Sequence, residues 1–109
     1  MDIKQRLYEL IDAKGAEYGA LSDAVWGYAE TRFEEKQSAA MLVEALKAAG
    51  FAVETEVGGV PYAFVGTSGS GSPVIGFLGE YDALSGLSQV AGIAERQPIV
   101  PGAGGHGCG

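Results

Sequence analysis

Residues 73–82 read Pro-Val-Ile-Gly-Phe-Leu-Gly-Glu-Tyr-Asp, and this stretch decides the fold class of the chain. Its first seven residues are apolar or glycine without polar alternation, which is typical of an inner strand covered on both faces of a sheet. Two carboxylates, Glu80 and Asp82, follow directly. Ligands of open α/β sheets bind at the carboxyl ends of strands, so these side chains are candidate acid, base or ligand-orienting groups. On spacing alone, a solvated strand end with an ordinary turn aspartate is the simpler explanation.

A hairpin is predicted immediately before this stretch. Apolar and polar residues alternate over 51–57, as on a strand with one face in solvent, and two glycines then supply a turn. The returning strand is predicted over 61–66, with Pro61 at its start, where a missing N–H does least harm. The Ser/Gly-rich residues 67–72 form a linker, because they lack the Gly-Lys-Ser/Thr ending of a phosphate-binding loop.

The first half of the chain has the pattern of helices. Apolar residues recur at three- and four-residue steps over residues 2–29, which predicts one helix. Gly15 and Gly19 interrupt it, and each costs a helix on the order of 1 kcal/mol relative to alanine. We therefore expect either a weak point there or close packing of another backbone.

A second helix is predicted over residues 32–49. Thr31 and Glu34 have the spacing of a capping box, in which the hydroxyl accepts from the third helical N–H and the carboxylate reaches back. Gly50 lies where a left-handed helix end is usual. Two helices, then a hairpin and an inner strand, predict an α/β fold with an incomplete sheet.

Composition and charge exclude several classes of protein. The 109 residues, 11.2 kDa, have room for one small domain or for part of a larger one. Seven Lys and Arg against 14 Asp and Glu give a net charge of −7, so we expect no nucleic-acid partner. No apolar run approaches the roughly 20 residues of a membrane span, and no apolar signal sequence follows Met1. No membrane partner and a cytoplasmic location are therefore expected.

The last nine residues, 101–109, include five glycines and cannot hold a shape by themselves, so something else must order them. They contain the only histidine and the only cysteine of the chain, His106 and Cys108. Imidazole and thiolate are both ligands for zinc and similar ions, but a protein site needs three or four ligands. A free thiol beside an unengaged histidine is the simpler explanation from these residues alone. A nucleophilic Cys108 is a third possibility, for which a base only two residues away is awkwardly placed.

Three stretches, taken in order, resemble the start of the aminoacylase/carboxypeptidase G family of metal-dependent amidohydrolases, and most of all its aminobenzoyl-glutamate hydrolase branch. They are Trp-Gly-Tyr-Ala-Glu-Thr-Arg-Phe-Glu-Glu at 26–35, Gly-Glu-Tyr-Asp-Ala-Leu at 79–84 and Gly-His-Gly-Cys-Gly at 105–109. The resemblance implies an α/β metallopeptidase domain interrupted by a dimerisation domain, and a homo-oligomeric complete enzyme. It implies hydrolysis of the amide of an N-acyl or N-aroyl amino acid such as aminobenzoyl-glutamate. It also implies two divalent ions, zinc or manganese, that polarise the carbonyl and activate water.

The resemblance carries roles to individual residues. Cys108 corresponds to a thiolate metal ligand, and His106 lines the metal site without necessarily touching a metal. Asp82 matches an aspartate that orients a ligand. Glu80 stands where other branches carry a ligand histidine, and it is the second catalytic candidate. Ser85 stands where this branch usually has proline, a change in a turn that leaves the ligands untouched.

The resemblance also implies that residues 1–109 are the N-terminal portion of a catalytic domain. They stop inside the metal-binding motif, one residue before the expected second ligand histidine, and the dimerisation domain is absent. We therefore expect the chain alone to lack hydrolase activity and to self-associate through its uncovered sheet. The alternative is a non-enzymatic, small acidic α/β module that binds a partner through an exposed sheet edge. That alternative leaves the three ordered motifs as coincidence.

Overall fold

The computed structural model describes residues 2–108, which form three helices and one two-stranded sheet. The helices are α1 (Ile3–Ala13), α2 (Gly15–Tyr28) and α3 (Lys36–Ala48). The strands are β1 (Ala52–Thr55) and β2 (Phe64–Thr67), joined through a short 3-10 turn at Val57–Gly59. The strands pair antiparallel, with Ala52 opposite Thr67. The predicted class, α/β with an incomplete sheet, is confirmed, as is the predicted hairpin.

The predicted first helix is in fact two helices. α1 ends at Ala13 and is followed by its C-cap, Lys14, whose N–H donates to the carbonyl of Ile11 at 3.0 Å. α2 begins at the next residue, Gly15. A Cβ added at Gly15 or Gly19 would meet no atom within 4 Å, so close backbone packing does not explain either glycine. The break is therefore the weak point that the low helix propensity of glycine predicts.

The predicted start of the second helix is wrong. α3 begins at Lys36, later than the capping box of Thr31 and Glu34 predicts. Those two side chains do contact each other, at 3.4 Å between Oγ1 and Oε2. The backbone of Thr31, however, forms a parallel bridge with Ala83, so this residue lies in extended structure and not at a helix start. The helix is capped by a different carboxylate.

The predicted inner strand is not formed. Within the described residues, segment 73–79 pairs with no strand and makes no backbone hydrogen bond. Its large apolar side chains are exposed: Val74 90%, Ile75 74%, Phe77 97% and Leu78 98%. An inner strand needs a hydrogen-bonded neighbour on each side, and β1 and β2 pair with each other instead.

Little of the chain is buried. Its accessible area is 8370 Å², against about 5,700 Å² for a folded monomer of this mass. The radius of gyration is 16.5 Å, against about 13 Å for a compact domain of this length. Ala39 and Val43 of α3 and the distant Ala83 are the buried apolar residues of the described part. No helix within residues 2–108 has both the length and the apolar character of a membrane span.

Candidate functional site

Backbone hydrogen bonds hold the glycine-rich tail against the turn that follows the two candidate carboxylates. Four N–H···O bonds of 3.0–3.1 Å join the segments, from Leu84 to Gly105, Gly105 to Leu84, Ser88 to Ala103 and Gly107 to Leu87. We call residues 83–88 and 103–107 together the clasp. The expectation that something else orders the tail is confirmed, because residues 84–88 supply its hydrogen-bond partners.

Two glycines allow the two segments of the clasp to approach this closely, and a third faces the neighbouring Thr31. A Cβ on Gly105 would lie 2.5 Å from the carbonyl oxygen of Leu87, and one on Gly107 would lie 2.6 Å from the same atom. A Cβ on Gly104 would lie 2.8 Å from Cγ2 of Thr31. Real Cβ atoms do not approach other atoms so closely, so Gly105 and Gly107, which face a backbone atom, are required for space. A side chain in place of Gly104 would have to displace Thr31.

The clasp is also attached to the loop between α2 and α3. The N–H of Ala83 donates to the carbonyl of Glu30 at 2.8 Å, and Ala83 is only 2% exposed. The carboxylate of Glu30 turns toward α3, where Oε1 accepts from Ser38 N–H at 2.7 Å and Oε2 from Gln37 N–H at 2.9 Å. Burial acts to raise the pKa of Glu30, but the hydrogen bonds outweigh it and hold the pKa below its ordinary value.

Tyr81, which lies between the two candidate carboxylates, is anchored to the hairpin. Its hydroxyl donates to the carbonyl of Tyr62, and its ring packs at a tilt against Phe64 with centroids 5.7 Å apart. Burial raises the pKa of Tyr81, and the negative charges of Glu35 and Glu30 add to the effect. The hydroxyl therefore stays a protonated donor and fixes its neighbours in the chain.

Three of the four predicted site residues line one concavity. Glu80, Asp82 and His106 face it, whereas Cys108 is exposed outside it. Its volume of about 2110 Å³ exceeds the roughly 300–1,000 Å³ of small-molecule pockets. The concavity is therefore an uncovered concave face and not a formed substrate pocket.

His106 packs against α2. Its ring stands edge-on to Trp26, with centroids 6.3 Å apart and an interplanar angle of 86°. Its Nε2 is buried and has no hydrogen-bond partner among the described residues. A buried, unpaired ring nitrogen costs free energy, so any group that bonds to Nε2 would stabilise this arrangement.

Residues 2–108 do not complete a metal site. No three His, Cys, Asp or Glu side chains of this part of the chain come together in a way that could hold an ion. Protein sites for zinc use three or four such ligands. The described residues therefore do not fit a bound metal by themselves, and no catalytic step through a metal follows from them.

The sequence patterns did not reveal two residues that hold the site together, Glu30 and Tyr81. Glu30 caps backbone groups seven and eight residues further along the chain, which lies outside the spacing of ordinary helix caps. Tyr81 gives a weak signal, because an aromatic residue with a polar end, set between two carboxylates, is typical of a partly buried anchor.

Comparison with known proteins tests the resemblance. The chain is 50% identical, over an alignment of 109 residues, to one of the subunits of p-aminobenzoyl-glutamate hydrolase from Escherichia coli (strain K12). The alignment covers 96% of this chain, and the chain spans 23% of the length of that relative. No family model and no solved structure matches. The predicted resemblance to the aminobenzoyl-glutamate hydrolase branch is therefore confirmed along nearly the whole of this chain.

Proposed function

We propose that this chain takes part in hydrolysis of the amide of an N-acyl or N-aroyl amino acid such as aminobenzoyl-glutamate. The observation that carries the proposal is the 50% identity, over 96% of the chain, to a hydrolase subunit named for that substrate. Support also comes from the clasp, which holds Asp82 and His106 on one concave face through backbone bonds between residues 84 and 105.

The proposal assigns a role to each predicted site residue. Cys108 supplies a thiolate ligand to a divalent metal, zinc or manganese, and His106 lines the same site. Asp82 orients a ligand, and Glu80 is the second acid or base candidate. Because residues 2–108 bring no three such donors together, two metal ions require further ligands from the complete enzyme.

We propose further that the working enzyme is an oligomer in the cytoplasm. The resemblance implies a homo-oligomer, and the relative from E. coli is named as a hydrolase subunit, which is a name for one chain of an assembly.

The test is hydrolysis of aminobenzoyl-glutamate by the protein purified from its source, followed as release of aminobenzoate. Activity is measured before and after chelation and again after zinc or manganese is restored. We expect Cys108→Ser to lower kcat/KM by more than about 100-fold and Asp82→Asn by about 10- to 100-fold. The matched control is Glu54→Gln, an exposed change on β1 that should leave activity intact.

Two results would contradict the proposal. Full activity of Cys108→Ser, with unchanged metal content, would remove the metal role of the thiol. Absence of hydrolysis by the native protein, together with binding of a protein partner through segment 73–79, would favour the non-enzymatic module. Residues 1–109 assayed by themselves are expected to be inactive.

A further inference from the structure

We infer that Glu30 is a positioning residue for Asp82 and His106, because its carboxylate is fixed to α3 while its backbone carbonyl is fixed to the clasp. The importance of those two side chains rests on the proposed function. The structural link from Glu30 to the clasp is independent of the proposed function, because it consists of hydrogen bonds within this chain.

The first part of the link is the carboxylate. The first N–H groups of a helix have no partner within the helix and form the positive end of its dipole. Glu35, which immediately precedes α3, makes no side-chain cap. Both oxygens of Glu30 are used instead, one for Gln37 N–H and one for Ser38 N–H. Because Ser38 is fully buried, water cannot replace the carboxylate there.

The second part is the backbone of the same loop. With its side chain held at α3, Glu30 presents its carbonyl to the N–H of Ala83 at 2.8 Å. Thr31 pairs with Ala83 as well. Ala83 directly follows Asp82 in the chain, so the loop fixes where the backbone of Asp82 leaves the concave face.

The third part connects the loop to the tail. Leu84 and Gly105 exchange two N–H···O bonds, and His106 follows Gly105. A methyl group on Gly104 would lie 2.8 Å from Cγ2 of Thr31, so one of the two would have to shift. The loop, the turn and the tail therefore move together, and displacement of Glu30 displaces Asp82 and His106 at once.

The decisive measurement is amide hydrogen exchange of the full chain, with Glu30→Gln compared with Glu54→Gln. A glutamine at residue 30 offers one acceptor oxygen to two N–H donors and turns an NH₂ group toward the other. We expect exchange to accelerate by about 10-fold at Gln37 and Ser38 and also at Ala83, Leu84 and Gly105. The amides of β1 and β2 should not change, nor should any amide in the control variant.

A simple helix cap would give a different result. Acceleration confined to α3, with Ala83, Leu84 and Gly105 unchanged, would overturn the proposal. If all amides of the Glu30→Gln variant exchange rapidly, including those of β1 and β2, the whole fold is destabilised. The proposal is then tested by a second variant, at the other end of the link. Gly104→Ala pushes against Thr31, and its control is Gly79→Ala, which has open space around the added methyl.

Coupling is reciprocal, so Gly104→Ala should accelerate exchange at Gln37 and Ser38, whereas Gly79→Ala should not. Unchanged exchange at those two amides would overturn the proposal. In the native hydrolase, Glu30→Gln should lower kcat by about 10- to 100-fold, with KM changed far less. If the native protein does not hydrolyse the amide, the proposed function fails while the exchange result stands. If exchange at Ala83 does not respond, the link fails while hydrolysis stands.

Discussion

Segment 73–79 and residues 103–107 both lack regular secondary structure, and they differ in how their backbone groups are satisfied. Segment 73–79 is apolar, makes no backbone hydrogen bond to the described residues and exposes 97% of Phe77. The tail of the clasp, residues 103–107, is mostly glycine, yet four hydrogen bonds hold it. Apolar character therefore does not order a segment that has no neighbour to cover it. The lack of side chains, in contrast, lets one backbone approach another closely enough to bond.

The largest effect expected from this difference is that of Gly105→Ala. The added methyl would lie 2.5 Å from the oxygen of Leu87 and 2.6 Å from Cα of Ser88, and both are backbone atoms that cannot turn aside. We expect the free energy of opening the clasp to fall by about 1–3 kcal/mol, measured by hydrogen exchange at Leu84.

The matched control for this change is Gly79→Ala, at the end of the uncovered segment. A methyl there meets no atom within 4 Å, and the residue does not have a positive φ. The free energy of unfolding should change by less than about 0.5 kcal/mol. Equal losses in both variants would mean that the two segments do not differ in packing.

The same contrast shows how much the sequence could predict. The hairpin and the helical stretches follow from local repeats of apolar residues, such as the alternation around Val53. The structure contains both. The clasp pairs Leu84 with Gly105 and is attached to Glu30 through Ala83. The residues of both pairs lie more than 20 positions apart, so no local pattern specifies them. The glycines of the tail indicated only that a partner was needed.

The predicted inner strand at 73–79 is absent for a different physical reason. Its composition is that of an inner strand, but a strand is defined by its hydrogen-bonded neighbours, and none of the described residues supplies one. α3 begins later than the sequence predicts because Thr31 does not act as its cap. The backbone of Thr31 pairs with Ala83, and a carboxylate outside the usual spacing takes the capping role. Partners distant in the chain, which are absent for segment 73–79 and present for Thr31, thus decide both outcomes.

A smaller effect is expected at Tyr81, which lies in the chain between segment 73–79 and the first residues of the clasp. Tyr81→Phe removes the hydroxyl that donates to Tyr62 while it keeps the ring packed on Phe64. The free energy of unfolding should fall by about 0.5–1.5 kcal/mol, as for a half-buried hydrogen bond, measured by denaturant titration. Tyr8→Phe, on the exposed face of α1, is the control and should cost almost nothing. An equal loss in the two variants would show that the Tyr81 hydroxyl is no anchor.

A still smaller effect on the clasp is expected from acid, through protonation of Glu30. The pKa of Glu30 is lower in the folded chain than in the unfolded chain. Its stabilising contribution is therefore present above the ordinary pKa of a glutamate side chain and is lost as the pH falls through the lower folded value. Protection of Ala83 against hydrogen exchange, corrected for intrinsic rates, should decline between pH 5 and pH 3.

The chain has 14 acidic residues, so the change due to Glu30 is isolated by comparison with Glu30→Gln. In that variant the protection of Ala83 should be lower at pH 5 and should fall less on acidification. Parallel declines in the two proteins would assign the acid response to other carboxylates and not to the cap of α3.

The smallest effect on folding is expected from Phe77→Ser, in the uncovered segment. Phe77 is 97% exposed, so the free energy of unfolding should change by less than about 0.5 kcal/mol. Val43→Ala, at a buried position of α3, should cost about 1–2 kcal/mol in the same titration. Light scattering should show weaker self-association for Phe77→Ser than for the unchanged chain, because an exposed apolar patch is reduced. A loss near that of Val43→Ala would mean that segment 73–79 is packed against a neighbour, and the contrast with the clasp would then disappear.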